Sequence, residues 1–236
     1  MDNLLLLARM ARNYRSIPAG MRFSEQLLLI SEILTLPRSK KGCIVECGCY
    51  LGGTTANLSL AAELTDRHVH VFDSFDGMPE DSTPEDAHIV GEGVGSESGW
   101  TTDDYVASRA DFERYLHRYG CPQRVTIHEG PFDETLPEFS EECALGYVDA
   151  DYRDANAIVL EELWPQLKED CRIYTHGADF YPVSQLYFDR DWWQTTLDTS
   201  PPGLVGAGSG LGCIPSDGSK GWTSSFGYAV KEADGR

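Results

Sequence analysis

The sequence predicts an α/β domain, a doubly wound and mostly parallel sheet flanked by helices. Two observations carry this prediction. Short apolar runs alternate with amphipathic stretches of helical period, the pattern of parallel strands joined by crossover helices. The first run ends at Glu46 and passes directly into a glycine-bearing turn and a helix start, which is how such sheets present their first ligand crevice. The tail adds a third: glycine-rich residues 204–212 and the run 226–231 read as a terminal antiparallel hairpin, giving seven strands with the five before it.

The elements follow in order. A helix is expected over 2–14, capped by Asp2, and another over 24–34, where Leu27, Leu28, Ile30, Ile33 and Leu34 recur at three- and four-residue spacing. These make an N-terminal helical extension, residues 1–37, which either covers the crevice mouth or forms a homodimer interface. Strand 43–45 opens the stretch GCIVECGCYLGGTTAN. Its spacing, E-x-G-x-x-x-G-G, differs from the dinucleotide fingerprint G-x-G-x-x-G and favours a cofactor without a pyrophosphate. Gly48 and Gly52 allow backbone that a Cβ would forbid, so a cofactor can lie against the main chain; a ligand-free structural turn is the alternative. Helix 54–62 and strand 68–72 follow, and Asp73 ends that strand where a carboxylate can accept from both hydroxyls of a ribose, or else cap the turn that begins at Ser74.

Residues 78–104, rich in Gly, Ser, Asp, Glu and Pro, read as a lid over the crevice or an acidic insertion. Helix 105–119 stops at Gly120. Strand 124–128 runs into a turn in which Gly130 and Phe132 either frame a flat ring or serve an ordinary connection. Strand 144–148 ends in Asp149, Asp151 and Asp154. Clustered carboxylates at a strand end are costly unless solvated, paired or metal-bound, and capping of the next helix, which runs to about 167, accounts for only one of them. Strand 172–175 ends in His176, a metal ligand, an acid/base group or a simple hydrogen-bonded side chain, with Asp179 close by. A helix is expected over 184–193.

The length suits one domain, residues 1–236. A net charge of −19 argues against nucleic acid and against an anionic membrane surface. No run is long enough to span a bilayer, so a cytoplasmic protein is expected. Abundant Asp and Glu with few Lys suit a high-salt cytoplasm, or simply an acidic enzyme. The seven cysteines fit no secreted disulfide framework, and Cys43, Cys47 and Cys49, at spacings unlike any metal motif, read as small core residues.

Four stretches together, VECGCYLGGTT, FDSFDGMPE, GPFDETLP and YVDADYRDANAIVLEELWPQL, resemble the class I, Rossmann-like S-adenosylmethionine methyltransferases, and among them the TylF-type macrocin O-methyltransferases. The resemblance covers roughly residues 42–181. It implies that Glu46, Gly48, Tyr50, Gly52, Thr54 and Thr55 surround the methionine part of S-adenosylmethionine, that Asp73 and Ser74 lie at the ribose, and that Gly130 and Phe132 lie near adenine. It implies Asp149 as a metal ligand at the cofactor and Asp151 as the base that deprotonates an acceptor hydroxyl.

One departure stands out. The family ends its fifth strand with an Asp pair that completes a magnesium site, and here Thr175-His176 takes that place. Imidazole favours a transition metal over magnesium. His176 therefore either joins Asp149 around a softer divalent ion, replaces the metal as base, or marks a chain without metal. Three functions follow: an O-methyltransferase acting on a hydroxyl of a small sugar or natural product, a nicotinamide-dependent oxidoreductase, or a non-catalytic cofactor-binding protein of the same fold. Trp100, Tyr105, Tyr152 and Tyr181 suggest an aromatic-lined acceptor pocket.

Overall fold

A computed structural model describes residues 3–77, 105–178, 180–206 and 225–233. Its six strands are β1 (Cys43–Cys47), β2 (Val69–Asp73), β3 (Val125–Glu129), β4 (Cys143–Val148), β5 (Leu167–His176) and β6 (Phe226–Lys231), ordered β3-β2-β1-β4-β5-β6. Every pairing is parallel except β5 with β6. The chain winds outward in one direction from β1 to β3 and in the other from β4. The gap between the carboxyl ends of β1 and β4 is therefore the switch point where such folds bind ligands.

The helices are α1 (Asn3–Ser16), α2 (Phe23–Thr35), α3 (Gly53–Thr65), α4 (Arg109–Tyr119), α5 (Phe132–Thr135), α6 (Arg153–Gln166), α7 (Tyr181–Leu186) and α8 (Arg190–Leu197). Strands buried on both sides need apolar residues at every position, and β1 and β4 are buried throughout. On one face Ile44, Val69, Leu145 and Tyr147 pack with Leu29, Leu58 and Phe112. On the other Val45, Phe72, Val148 and Ile173 pack with Leu160, Leu163 and Trp193.

The described residues hold six strands rather than the seven expected. On the edge of β6 away from β5, the pairing among the described residues is an isolated bridge of Val205 with Tyr228, so the first arm of the expected hairpin is no strand up to Gly206. The rest of that arm, with Gly208, Gly210 and Gly212, lies outside the described residues, as do Trp100, Asp179 and the 78–104 segment. The expected helix over 184–193 is two helices, α7 and α8. Asp189 starts the second by accepting a hydrogen bond from Trp192 N at 3.0 Å, a capping role that takes it out of a continuous helix. Helix α4 begins at Arg109 rather than 105, because Ser108 caps it through Asp111 N. Strand β5 begins five residues before Arg172, since Leu167 pairs with Cys143 and the strand carries on from there.

The N-terminal helices pack against α3. Asn13 of α1 donates to Asn57 of α3 at 2.9 Å, and Asn57 donates to Gln26 of α2 at 2.7 Å; all three are buried. These buried bonds tie α1 and α2 to α3, although Asn13 Oδ1 and Gln26 Nε2 are left without a hydrogen-bond partner among the described residues. They carry Glu25, also buried, to the carboxyl edge of the sheet.

Candidate active site

Four strand ends build the site. Strand β1 gives Glu46 and the turn after it. Gly48 has φ +86° and Gly52, the N-cap of α3, φ +78°. A Cβ on Gly48 would lie 2.1 Å from the Asp149 carbonyl oxygen, so this turn closes onto the end of β4 only because it is glycine. Tyr50 follows with φ 50°, its ring edge-on to Tyr105. Thr54 and Thr55 are buried in the first turn of α3.

Glu46 is enclosed beneath the turn with no exposed surface. Thr55 donates its hydroxyl to Glu46 Oε2 at 2.5 Å, while Oε1 is buried with no partner among the described residues. Burial is the largest influence on this carboxyl and drives its pKa up to about 8 against the opposing Thr55 hydrogen bond; Asp149 and Asp73 push it further. Because the folded pKa lies above the unfolded value of 4.5, the proton favours the folded state. The associated stability is complete below pH 4.5 and is lost as pH rises through about 8. Glu46→Gln, which mimics the protonated form, is therefore expected to flatten the fall in melting temperature between pH 5 and 8 relative to the parent chain. Parallel melting curves for the two across that range would remove this account.

Asp73 ties the turns together. Its Oδ2 accepts from Cys49 N at 2.6 Å and Tyr50 N at 3.2 Å, and Oδ1 accepts from Phe75 N at 2.8 Å. The turn-capping alternative thus holds for Asp73, and its remaining lone pairs are what a ribose could use. Ser74 accepts from Asp76 N at 3.3 Å in the same turn. Gly130 donates its N–H to the Asp73 carbonyl at 3.0 Å, which brings the end of β3 to that of β2. Phe132 is half-buried against the core, so its ring is largely spent on packing.

Strands β4 and β5 supply the charged centre. His176 Nδ1 stands 3.1 Å from Asp149 Oδ1, and Tyr147 donates its hydroxyl to Asp149 Oδ2 at 2.8 Å. The other imidazole nitrogen faces Glu25 of α2 at 3.8 Å. Burial works to lower the His176 pKa, but Asp149, then Glu25 and Asp151, outweigh it and raise it to about 9. Burial likewise works to raise Asp149, and His176 and Tyr147 overcome it and hold that carboxyl below its usual value. His176 is thus an imidazolium at neutral pH, enclosed by carboxylates. Asp151 stands at φ 52° just past the strand, and one ligand atom each from Asp149, Asp151 and His176 lies within 4.8 Å of the others.

Glu46, Asp73, Asp149 and His176, expected to meet at one edge of the sheet, do so: Asp149 and Asp73 both act on the Glu46 carboxyl, and Asp149 pairs with His176. Two contributors escape sequence reasoning. Tyr147 sits inside a core strand and reads there as apolar filling. Glu25 lies in a helix 151 positions before His176, its one hint a carboxylate among buried positions of an apolar helix.

The donor set tests the metal expectation. Two carboxylates and an imidazole fit a divalent transition ion better than magnesium, which asks for oxygen.

Comparison with known proteins places the architecture. A family model described as a methyltransferase domain matches residues 45–178. No curated protein matches the sequence. Among solved structures, the O-methyltransferase NovP is similar at 17% identity with a TM-score of 0.69, covering 97% of both chains. CalS11, a calicheamicin methyltransferase, is similar at 18% identity and a TM-score of 0.60, over 96% of this chain and 91% of that one. Cofactor-bound Rv0187 from MTB is similar at 17% identity and a TM-score of 0.53, over 98% and 89%. The match to the family model runs from the middle of β1 past the end of β5 and takes in Glu46, Asp73, Asp149, Asp151 and His176; this chain belongs to the methyltransferase-domain family.

Proposed function

We propose that the chain is an S-adenosylmethionine-dependent O-methyltransferase whose acceptor is a hydroxyl of a small molecule, of the sugar or natural-product kind. The observation that carries this reading is the His176 imidazole, 3.1 Å from Asp149 and 3.8 Å from Glu25 with Asp151 in the same cluster, at the edge where the glycine turn would hold a cofactor. The likeness to NovP, an O-methyltransferase, and to CalS11, a calicheamicin methyltransferase, supports the class of acceptor.

A sulfonium methyl needs little activation; it needs an oxygen nucleophile held in line and stripped of its proton. His176 already carries a proton at neutral pH and is poorly suited to take another. That leaves the Asp151 carboxylate to accept the hydroxyl proton, while the cation beside it stabilises the developing alkoxide. Asp149 and Tyr147 hold the imidazolium in place. Asp149, Asp151 and His176 would hold a divalent transition ion if one binds, and such an ion would lower the pKa of a hydroxyl bound to it.

Because the His176 cation already occupies the place of positive charge, methyl transfer is expected to survive exhaustive chelation within about twofold. Activity lost to chelator and restored by manganese or zinc would assign the charge to a metal instead. The cofactor itself is tested by thermal shift: S-adenosylhomocysteine is expected to raise the melting temperature and NAD to leave it unchanged. The reverse would favour the oxidoreductase, and binding without methyl transfer across a panel of hydroxylated acceptors would favour a non-catalytic protein.

A further inference from the structure

The opposite, amino-terminal edge of the sheet gathers a second group of ligating side chains that methyl transfer does not use. Cys43 opens β1, His70 lies in β2 beside it, and Glu141 lies just before β4 on its other side. The register sets them together: β1 is the strand between β2 and β4, with Cys43 opposite Cys143 and Val45 opposite His70. One ligand atom from each of Cys43, His70 and Glu141 lies within 4.8 Å of the other two.

We propose that Cys43 Sγ, His70 Nε2 and a Glu141 carboxylate oxygen form a binding site for one zinc-class divalent ion, separate from the methyl-transfer site. The His70 ring is the observation that points to a ligand. It is 5% exposed, and its Nε2 is buried with no hydrogen-bond partner among the described residues. Glu141 Oε1 stands 3.4 Å from that nitrogen, short of a good hydrogen bond. Two ligands about 2.0–2.1 Å from one tetrahedral zinc stand about 3.3 Å apart, so this spacing is the one an ion would set.

The second nitrogen of the ring fits as well. His70 Nδ1 meets His128 Nε2 at 3.0 Å. When His70 donates there, its Nε2 keeps a lone pair directed at the site, the arrangement in which a neighbouring group orients a histidine ligand. Soft sulfur and imidazole with one carboxylate is a zinc-type donor set, unlike the oxygen-rich cluster at the other edge. On binding, the Cys43 thiol gives its proton to solvent and the sulfur becomes a thiolate ligand; a water fills the fourth position beside Glu141, whose side chain is 63% exposed. The cysteine spacing in the sequence conceals this site because its ligands come from β1, β2 and the residues leading into β4, far apart along the chain.

The full-length chain, stripped with chelator and titrated with cobalt(II), tests this. Expected are a thiolate-to-cobalt charge-transfer band saturating at one equivalent, displacement of that band by zinc, and a melting temperature raised by zinc. The band is expected to vanish in Cys43→Ser and to persist in His176→Gln, which separates this site from the carboxyl-edge cluster. His128→Phe is expected to weaken zinc roughly ten- to a hundredfold by freeing the ring it orients. Should Cys43→Ser fail to fold, Glu141→Gln, a change at the surface, decides the matter: it is expected to weaken cobalt at least about tenfold with the band still present at saturation. A parent chain without a thiolate band, a Cys43→Ser chain that keeps it, or a Glu141→Gln chain with parental affinity would overturn the site and leave His70 donating its Nε2 proton towards Glu141.

Discussion

Gly48→Ala is expected to yield a chain with no measurable affinity for S-adenosylhomocysteine and a melting temperature lower by on the order of 10 °C. Two costs combine. The residue sits at φ +86°, where a side chain is strained, and the new Cβ would stand 2.1 Å from the Asp149 carbonyl oxygen and 2.9 Å from its carbon. Neither neighbour is a side chain that can swing away. Asp149 N is held by the Cys47 carbonyl at 2.8 Å, and Gly48 N by the Phe72 carbonyl at 2.9 Å, so relief must part the ends of β1 and β4. The loss is on the order of 3–5 kcal/mol, the range in which single changes reveal a steric mechanism. Gly20→Ala is the control, because a Cβ there would meet only the Tyr105 ring, at 3.9 Å. A Gly48→Ala chain that melts and binds like the parent would mean that the turn is not built as described.

Asp151→Asn is expected to leave S-adenosylhomocysteine affinity within about threefold and to lower turnover roughly a hundred- to ten-thousandfold, the range lost with a positioned general base. Asparagine is the informative replacement. At φ 52° most side chains are strained, but Asn tolerates the left-handed region nearly as well as Asp, so the backbone stays and only the proton-accepting charge goes. Combining it with His176→Gln is expected to cost little beyond the larger single effect, because base and cation serve the same proton transfer. Single-turnover methyl transfer measures both. Parental turnover in Asp151→Asn would remove it from the mechanism and leave solvent to accept the proton.

The strands were legible because a sheet buried on both faces demands apolar runs, and 43–45, 68–72 and 144–148 offer them with little ambiguity. Their ends were legible too, since a carboxylate directly after an apolar strand has few bland explanations; Glu46, Asp73 and Asp149 all meet at one edge. What sequence could not supply was pairing across distance. Asp149 does most to raise the His176 pKa, but Glu25 adds to it, brought there by α2, and nothing local to either residue announces the other. Helix 184–193 failed for a related reason: Asp189 looks like an ordinary polar position in a helix and acts as a cap that starts a new one. The cysteines show the same limit from another side. Read along the chain, Cys43 groups with Cys47 and Cys49; across the sheet its neighbours are His70 and Glu141.

The amides of Asn13, Gln26 and Asn57 have a consequence for how kinship and folding relate in this chain. The family match starts in β1, while the likeness to NovP covers 97% of the chain, and a version beginning at β1 would bare Asn57 and take Glu25 away from His176.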